Sequence, residues 1–224
     1  SIQVDPGTAG GSAMREYARR HDAREQRARE RMGLLGVGIA RLTGDPASTR
    51  AWRQGAEGES KVAARLCKLL EGTGVHLLHD RRLRGHGKAN IDHLAVGPGG
   101  VTVIDAKAVR GEVRVQTVGG LFSQREHLLR VGGRDRTRLV RGVRSQGEVV
   151  RGCLSTQGFD AVEVRCALCF ADTSGLPLLR RLELDGVIVD GSKRVAKLAR
   201  RPGSLREAEV QRVLQVLAQA LPSA

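Results

Sequence analysis

Asn90-Ile-Asp-His-Leu-Ala-Val-Gly-Pro-Gly-Gly-Val-Thr-Val-Ile-Asp-Ala-Lys107 is the stretch on which the reading of this chain turns. Two apolar runs flank Gly97-Pro98-Gly99-Gly100. Pro and Gly supply tight-turn dihedrals and Pro98 has no N–H for a ladder, so the pattern predicts a β-hairpin. Symmetry about Pro98 and Gly99 pairs Gly97 with Gly100, Val96 with Val101, Leu94 with Val103 and Asp92 with Asp105. Lys107, two residues beyond Asp105, points to the same face. Carboxylates directly opposite one another repel. A hard divalent cation between them would convert the repulsion into binding. The alternative is two acids at a solvated strand end, and the hairpin alone does not choose between them.

Outward from the hairpin, 224 residues make one sizeable domain with an extension. Basic side chains outnumber acidic ones by 38 to 24, a net charge of +14. Such an excess favours a polyanionic partner, nucleic acid first and a membrane surface second. A bias of Arg over Lys explains the ratio of the two cations but not their surplus over the acids. The aromatics are Tyr17, Trp52, Phe122, Phe159 and Phe170, too sparse for a surface that works by base stacking alone. Phosphate contact through Arg is the better expectation. No leader-like start and no apolar run approaching about 18 residues are present, so no membrane partner and a cytoplasmic setting are expected. Cys166-x-x-Cys169 lies in a strand-like run, where positions three apart face opposite sides. No second Cys pair completes a zinc site, so these thiols are expected to be buried.

Residues 1–11 are Gly-rich and expected to be disordered. Residues 12–32 are helix-prone but almost wholly charged, as in an exposed helix or basic arm. A stronger helix spans about 48–71, with Trp52, Ala56, Val62, Ala63, Leu66, Leu69 and Leu70 on one stripe. Glu59 falls in that stripe. It needs a partner there, or else lies on a first turn that is still exposed. Val75–His79 reads as a strand, followed by a basic loop from Arg81 to Ala89. Glu112–Gln116 reads as a further strand, 120–131 as another hairpin, and 132–138 as a basic Gly-led loop. The helix at about 137–156 carries Gln146 inside an apolar stripe. Strands at Val162–Phe170 and Val187–Val189 precede a last helix, for which Ser204-Leu-Arg-Glu207 is the expected capping box. The order predicts an α/β fold: a mixed central β-sheet flanked by helices, with a β insertion before the second helix.

Glu59, Asp92, Asp105 and Lys107 have a joint chemical rationale. Asp92 and Asp105 would bind the metal, with Glu59 as a ligand directly or through water, and Lys107 would orient or deprotonate that water. His93 is expected on the opposite face from Asp92, and His86 in the basic loop. Arg81, Arg82, Arg84, Lys88, Arg134, Arg136, Arg138, Arg141 and Arg144 are the candidate phosphate contacts.

Gly55-Ala-Glu-Gly-Glu59, the Asn90–Val101 stretch, Val103-Ile-Asp-Ala-Lys107 and Gly111-Glu-Val resemble the nuclease-related (NERD) domain of the PD-(D/E)XK, restriction-endonuclease-like superfamily. The resemblance covers about 52–170. It implies an αβββαβ core with a β-hairpin insertion, and metal-dependent hydrolysis of DNA phosphodiester bonds in repair or processing. By position, Asp92 is the first motif acid, Asp105 and Lys107 the (D/E)XK pair, Glu59 the helix acid and Gln146 the helix glutamine. Mg²⁺ or Mn²⁺ is implied, with the Ala106 carbonyl as a further ligand. Ile91 replaces the Pro of the superfamily name, and Asp105 stands where Glu is frequent. The implied organisation is a basic helical extension over 1–47 and a nuclease-like domain over 48–224, with its core at about 52–171 and a C-terminal helical part at about 192–221. The expected partner is DNA, in a nucleoid-associated bacterial setting; RNA and homo-oligomerisation are left open. The competing reading is a non-catalytic nucleic-acid-binding module that retains the fold.

Overall fold

A computed structural model describes residues 4–42, 46–83, 89–120, 123–177 and 180–224. The hairpin forms as its turn chemistry dictates. Strands β2 (Asn90–Gly97) and β3 (Gly100–Lys107) pair antiparallel, Gly97 with Gly100, Val96 with Val101 and Leu94 with Val103. Strand β1 (His76–Arg82) adds to the outer side of β2. On its other side β3 pairs in parallel with β7 (Val164–Phe170), and β7 in parallel with β9 (Val187–Gly191). The short β8 (Leu182–Leu184) closes that edge antiparallel to β9. The result is one mixed six-stranded sheet in the order β1-β2-β3-β7-β9-β8.

Period-two alternation divides the core between two faces. Val101 and Val103 of β3 join Leu94, Leu168 and Phe170 against helices α3 (Thr137–Ser155) and α5 (Glu207–Ala220). Ile104 and Ala106 join Ala95, Ala167 and Cys169 against helices α2 (Ala47–Leu70) and α4 (Ser192–Ala199). Cys166 and Cys169 therefore do face opposite sides, each buried with a free thiol. The chain runs α2, three strands, an insertion, α3 and β7, which is the expected αβββαβ order. Among the described residues, no helix is long and apolar enough to cross a membrane.

Four local expectations are corrected. The insertion is one long hairpin, β4 (Val113–Gly120) with β5 (Ser123–Val131), not a lone strand followed by a hairpin. With β6 (Arg134–Asp135) it makes a separate three-stranded sheet. The capping box of α5 lies two residues later than expected: the Arg206 N–H donates to the Glu209 carboxylate, so Arg206 is the cap and Ser204 is not. Trp52 is not core; it is 40% exposed on the outer side of α2. Residues 4–11 are not disordered but lie along β1, where the Pro6 carbonyl accepts the His79 N–H at 2.7 Å. Gly7 and Gly10 allow this approach, because a Cβ on either would meet the carbonyl oxygens of His79 and Ala56. Helix α1 (Gly11–Leu42), broken at Met32 and Gly33, continues from this segment and packs against α2.

Candidate active site

The ladder between β2 and β3 ends at His93 opposite Ile104, one pair short of the two acids. Beyond that point the Asp92 side chain takes over from the backbone, accepting the Ala106 N–H at 2.7 Å. The strands part there, and the space between them is charged. Lys107 Nζ lies 2.7 Å from Asp105 Oδ2 and 4.0 Å from Asp92 Oδ2, and it donates to the Ala106 carbonyl at 3.0 Å. All three side chains are largely withdrawn from solvent: Lys107 is 23% exposed, Asp92 14% and Asp105 11%.

Glu59 closes the site from α2. Gly58 makes the approach possible, since a Cβ there would stand 2.5 Å from that of Ala108, just past β3. Burial pushes the Glu59 carboxyl up to about 7; Lys107 opposes the rise, while Asp80 and Asp105 add to it. Asp92 is raised well above the carboxylate range by burial and by the charges of Asp105 and Glu59. Burial by itself would lower Lys107, but Asp105 and Asp92 outweigh it and hold the ammonium above its usual value. Burial is the first cause of the two raised carboxyls; the crowding of acids around one ammonium adds to their rise and holds the proton on Lys107.

Asp80 was not singled out in the sequence, yet it anchors this corner. It takes a left-handed backbone (φ 48°) at the one position of β1 that skips its β2 partner. Its carboxylate accepts the Ser12 N–H and hydroxyl, both at 2.7 Å, and Asn90 Nδ2 at 2.9 Å. It thereby caps the start of α1, where a negative charge is favoured. The Gly10 backbone, on the same segment, opposes the rise of the Glu59 carboxyl. The available signal was an Asp closing a strand, a residue type depleted in strands and tolerant of left-handed backbone.

The remaining predicted residues divide. Gln146 reaches the Asn90 carbonyl at 3.2 Å from the α3 side, two residues before Asp92, and its Oε1 is buried without a partner. His93 packs away from the acids as expected, with Nδ1 2.9 Å from that of His79; burial pushes it down to about 3. Arg81 is corrected. It is 1% exposed, and its guanidinium donates to the carbonyls of Leu221, Asp5 and Ala218 and to the Ser223 hydroxyl, so it is no phosphate contact. Arg82 is exposed beside Asn90. Arg134, Arg138 and Arg141 are exposed around the start of α3, and Arg136 is half-buried. Arg144 leans to the far edge of the sheet, 3.8 Å from Asp185 between β8 and β9. Arg84, Lys88 and His86 lie outside the described residues.

A six-stranded mixed sheet whose central hairpin opens onto two acids and a Lys, with a third acid from the preceding helix, defines a nuclease-like α/β domain. The nuclease-related domain profile matches residues 54–171, just over half of the chain, a span that includes Glu59, Asp80, Asp92, Asp105, Lys107 and Gln146. The chain belongs to the nuclease-related domain (NERD) family. No curated protein and no solved structure gives a significant match.

The donor set suits a hard divalent cation. Three carboxylates gather around one ammonium, two of them are raised by burial and then by that crowding, and the Ala106 carbonyl opens onto the same space. Among the described residues, no three His, Cys, Asp or Glu side chains close into a ready-made metal cage.

Proposed function

We propose that this protein is a divalent-metal-dependent nuclease that hydrolyses DNA phosphodiester bonds in repair or processing. The observation that carries this reading is the convergence of Glu59, Asp92, Asp105 and Lys107 where β2 and β3 separate. Asp92, Asp105, Glu59 and the Ala106 carbonyl would hold Mg²⁺ or Mn²⁺, which when bound polarises a phosphoryl oxygen and lowers the pKa of its water. Lys107 keeps its proton around neutrality, because the acids beside it favour the ammonium. Its part is to orient the attacking water and offset charge developing on the phosphate, rather than to act as the base. Gln146 holds the Asn90 carbonyl and so steadies the start of β2, two residues from Asp92. The positive charge of the chain and the exposed Arg82, Arg134, Arg138 and Arg141 support a polyanionic substrate.

A second reading, a binding module without catalysis, is favoured by one contact. The Lys107–Asp105 ion pair at 2.7 Å already satisfies one acidic oxygen. Purified wild type and Asp105→Ala, incubated with DNA and Mn²⁺, separate the two. Cleavage by wild type that is lost in the variant supports the nuclease. Equal cleavage by both removes the site assignment. Binding with no cleavage under any divalent metal establishes the module.

A further inference from the structure

Beside the acidic site lies a second feature, built largely from the N-terminal extension. A cleft of about 590 Å³ opens between α1, α2 and the β1–β2 edge, lined by Arg15, Arg19, Arg20, Trp52, Arg82 and Asn90. Asn90 stands two residues before Asp92 and is hydrogen-bonded to Asp80, so one end of the cleft meets the candidate active site. Four guanidinium groups face it. Within the lining Glu16 is their acidic counterpart, holding Arg19 and Arg20 at 2.6 and 2.7 Å. Arg82 has no ion-pair partner among the described residues. The Trp52 ring, 40% exposed, is steadied by the Arg20 guanidinium 5.4 Å from its centroid.

This combination has a specific chemistry. Guanidinium groups bind phosphate oxygens in bidentate fashion, and an exposed indole offers a face on which any base can stack. An open π-face is what an unpaired nucleotide presents, whereas the bases of a duplex are stacked on one another. An acidic protein would pair with the arginines but has no use for the ring. The cleft wall also explains why the extension is held in place: Asp80 caps α1 and so sets Arg15, Arg19 and Arg20 over the β1–β2 edge.

We infer that this cleft receives an unpaired strand of nucleic acid, its phosphates on Arg82 and the α1 arginines and a base on Trp52, flanking the phosphate presented to Asp92 and Asp105. The inference rests on the nucleic-acid reading of the neighbouring site. It assigns Trp52 and Arg82 as binding residues and α1 as part of the substrate path.

Trp52 is the single tryptophan of the chain, so its emission reports on this cleft alone. The full chain, with EDTA to prevent cleavage, is titrated with oligo-dT, with a blunt duplex of equal length and with poly-glutamate. Oligo-dT should quench the emission. Arg82→Ala should weaken oligo-dT binding about ten-fold and lower its salt slope by about 0.7, the value for one lost phosphate contact on a single strand. Trp52→Ala, followed by anisotropy of a labelled oligonucleotide, should weaken binding about ten-fold, the loss of one stacked base. Circular dichroism confirms that both surface variants are folded. Absence of quenching, or equal quenching by the duplex or by poly-glutamate, overturns the inference. Cleavage by wild type without Trp52 quenching removes the cleft but leaves the nuclease. Quenching without cleavage under any divalent metal removes the nuclease but leaves the cleft.

Discussion

The two ends of the central hairpin are made by the same two strands and serve opposite ends. At the turn, Gly99 and Gly100 are buried, and a Cβ on either would meet a carbonyl oxygen, of Arg201 or Glu163, at 2.3 Å. The Val101 N–H donates to that Glu163 carbonyl at 2.9 Å, and the Pro98 carbonyl accepts the Leu205 N–H at 3.2 Å. These bonds tie the turn to the segments that carry Glu163 and Leu205. At the open end three acids crowd one ammonium, two of the acids are raised by burial and repulsion, and the ladder stops short. The turn is built for stability. The open end holds charges that destabilise the fold, which is what a site that takes up a cation requires.

That contrast can be broken by substitution at either end. Asp105→Ala should reduce Mn²⁺-dependent DNA cleavage by about 10³-fold, as loss of a preorganised electrostatic group does, while leaving the urea midpoint unchanged or raised. A variant with wild-type rates, or one that is strongly destabilised, would erase the distinction between the ends. Gly100→Ala should do the reverse. Its φ of 106° and the close Glu163 carbonyl predict a loss on the order of 3–4 kcal/mol in chemical denaturation. Cleavage per folded molecule should stay near wild type.

Glu59 sharpens the comparison through pH. Its folded value of about 7 lies above the ordinary 4.5, so the folded state holds the proton more tightly than the unfolded chain. Its contribution is therefore fully present below about 4.5 and is lost as pH rises through about 7. His79 and His93 are lowered, so they act in the opposite direction over an overlapping range. The comparison of wild type with Glu59→Gln cancels them. Without metal, the variant should gain on wild type by on the order of 2–3 kcal/mol between pH 4.5 and 7.5. Parallel stability curves across that range would show that Glu59 is not strained. The smallest effect belongs to Asp80→Asn, which weakens the cap on α1 and should cost about 1–2 kcal/mol. Limited proteolysis should then cut within residues 4–20 first; an unchanged digestion pattern would deny Asp80 its anchoring part.

How much of this was legible beforehand follows from the range of the interactions. The hairpin register, the α2 and α3 stripes and the outlying positions of Glu59 and Gln146 were readable because each depends on neighbours a few residues away. Turn dihedrals and side-chain periodicity are local properties. Arg81 misled because a run of basic residues looks the same whether its cations face solvent or backbone carbonyls. The carbonyls that hold it come from Asp5, Ala218 and Leu221, at the two ends of the chain. Residues 4–11 misled for a related reason: glycine marks flexibility in isolation, yet here it permits close packing on β1 and α2.

The sequence by itself determined the hairpin, its register as far as His93 and Ile104, and the gathering of Asp92, Asp105 and Lys107 at its open end, where the expected Asp92–Asp105 pair gives way to a bond from the Ala106 N–H to Asp92. Those follow from strand geometry and the chemistry of a Gly-Pro-Gly-Gly turn. Only the tertiary structure decided that Asp80 joins this corner, that Arg81 leaves the surface, and that α1 brings arginines over Trp52 beside the site. Each of those depends on contacts between segments tens to more than a hundred residues apart, and burial at such distances leaves no periodic trace in the chain.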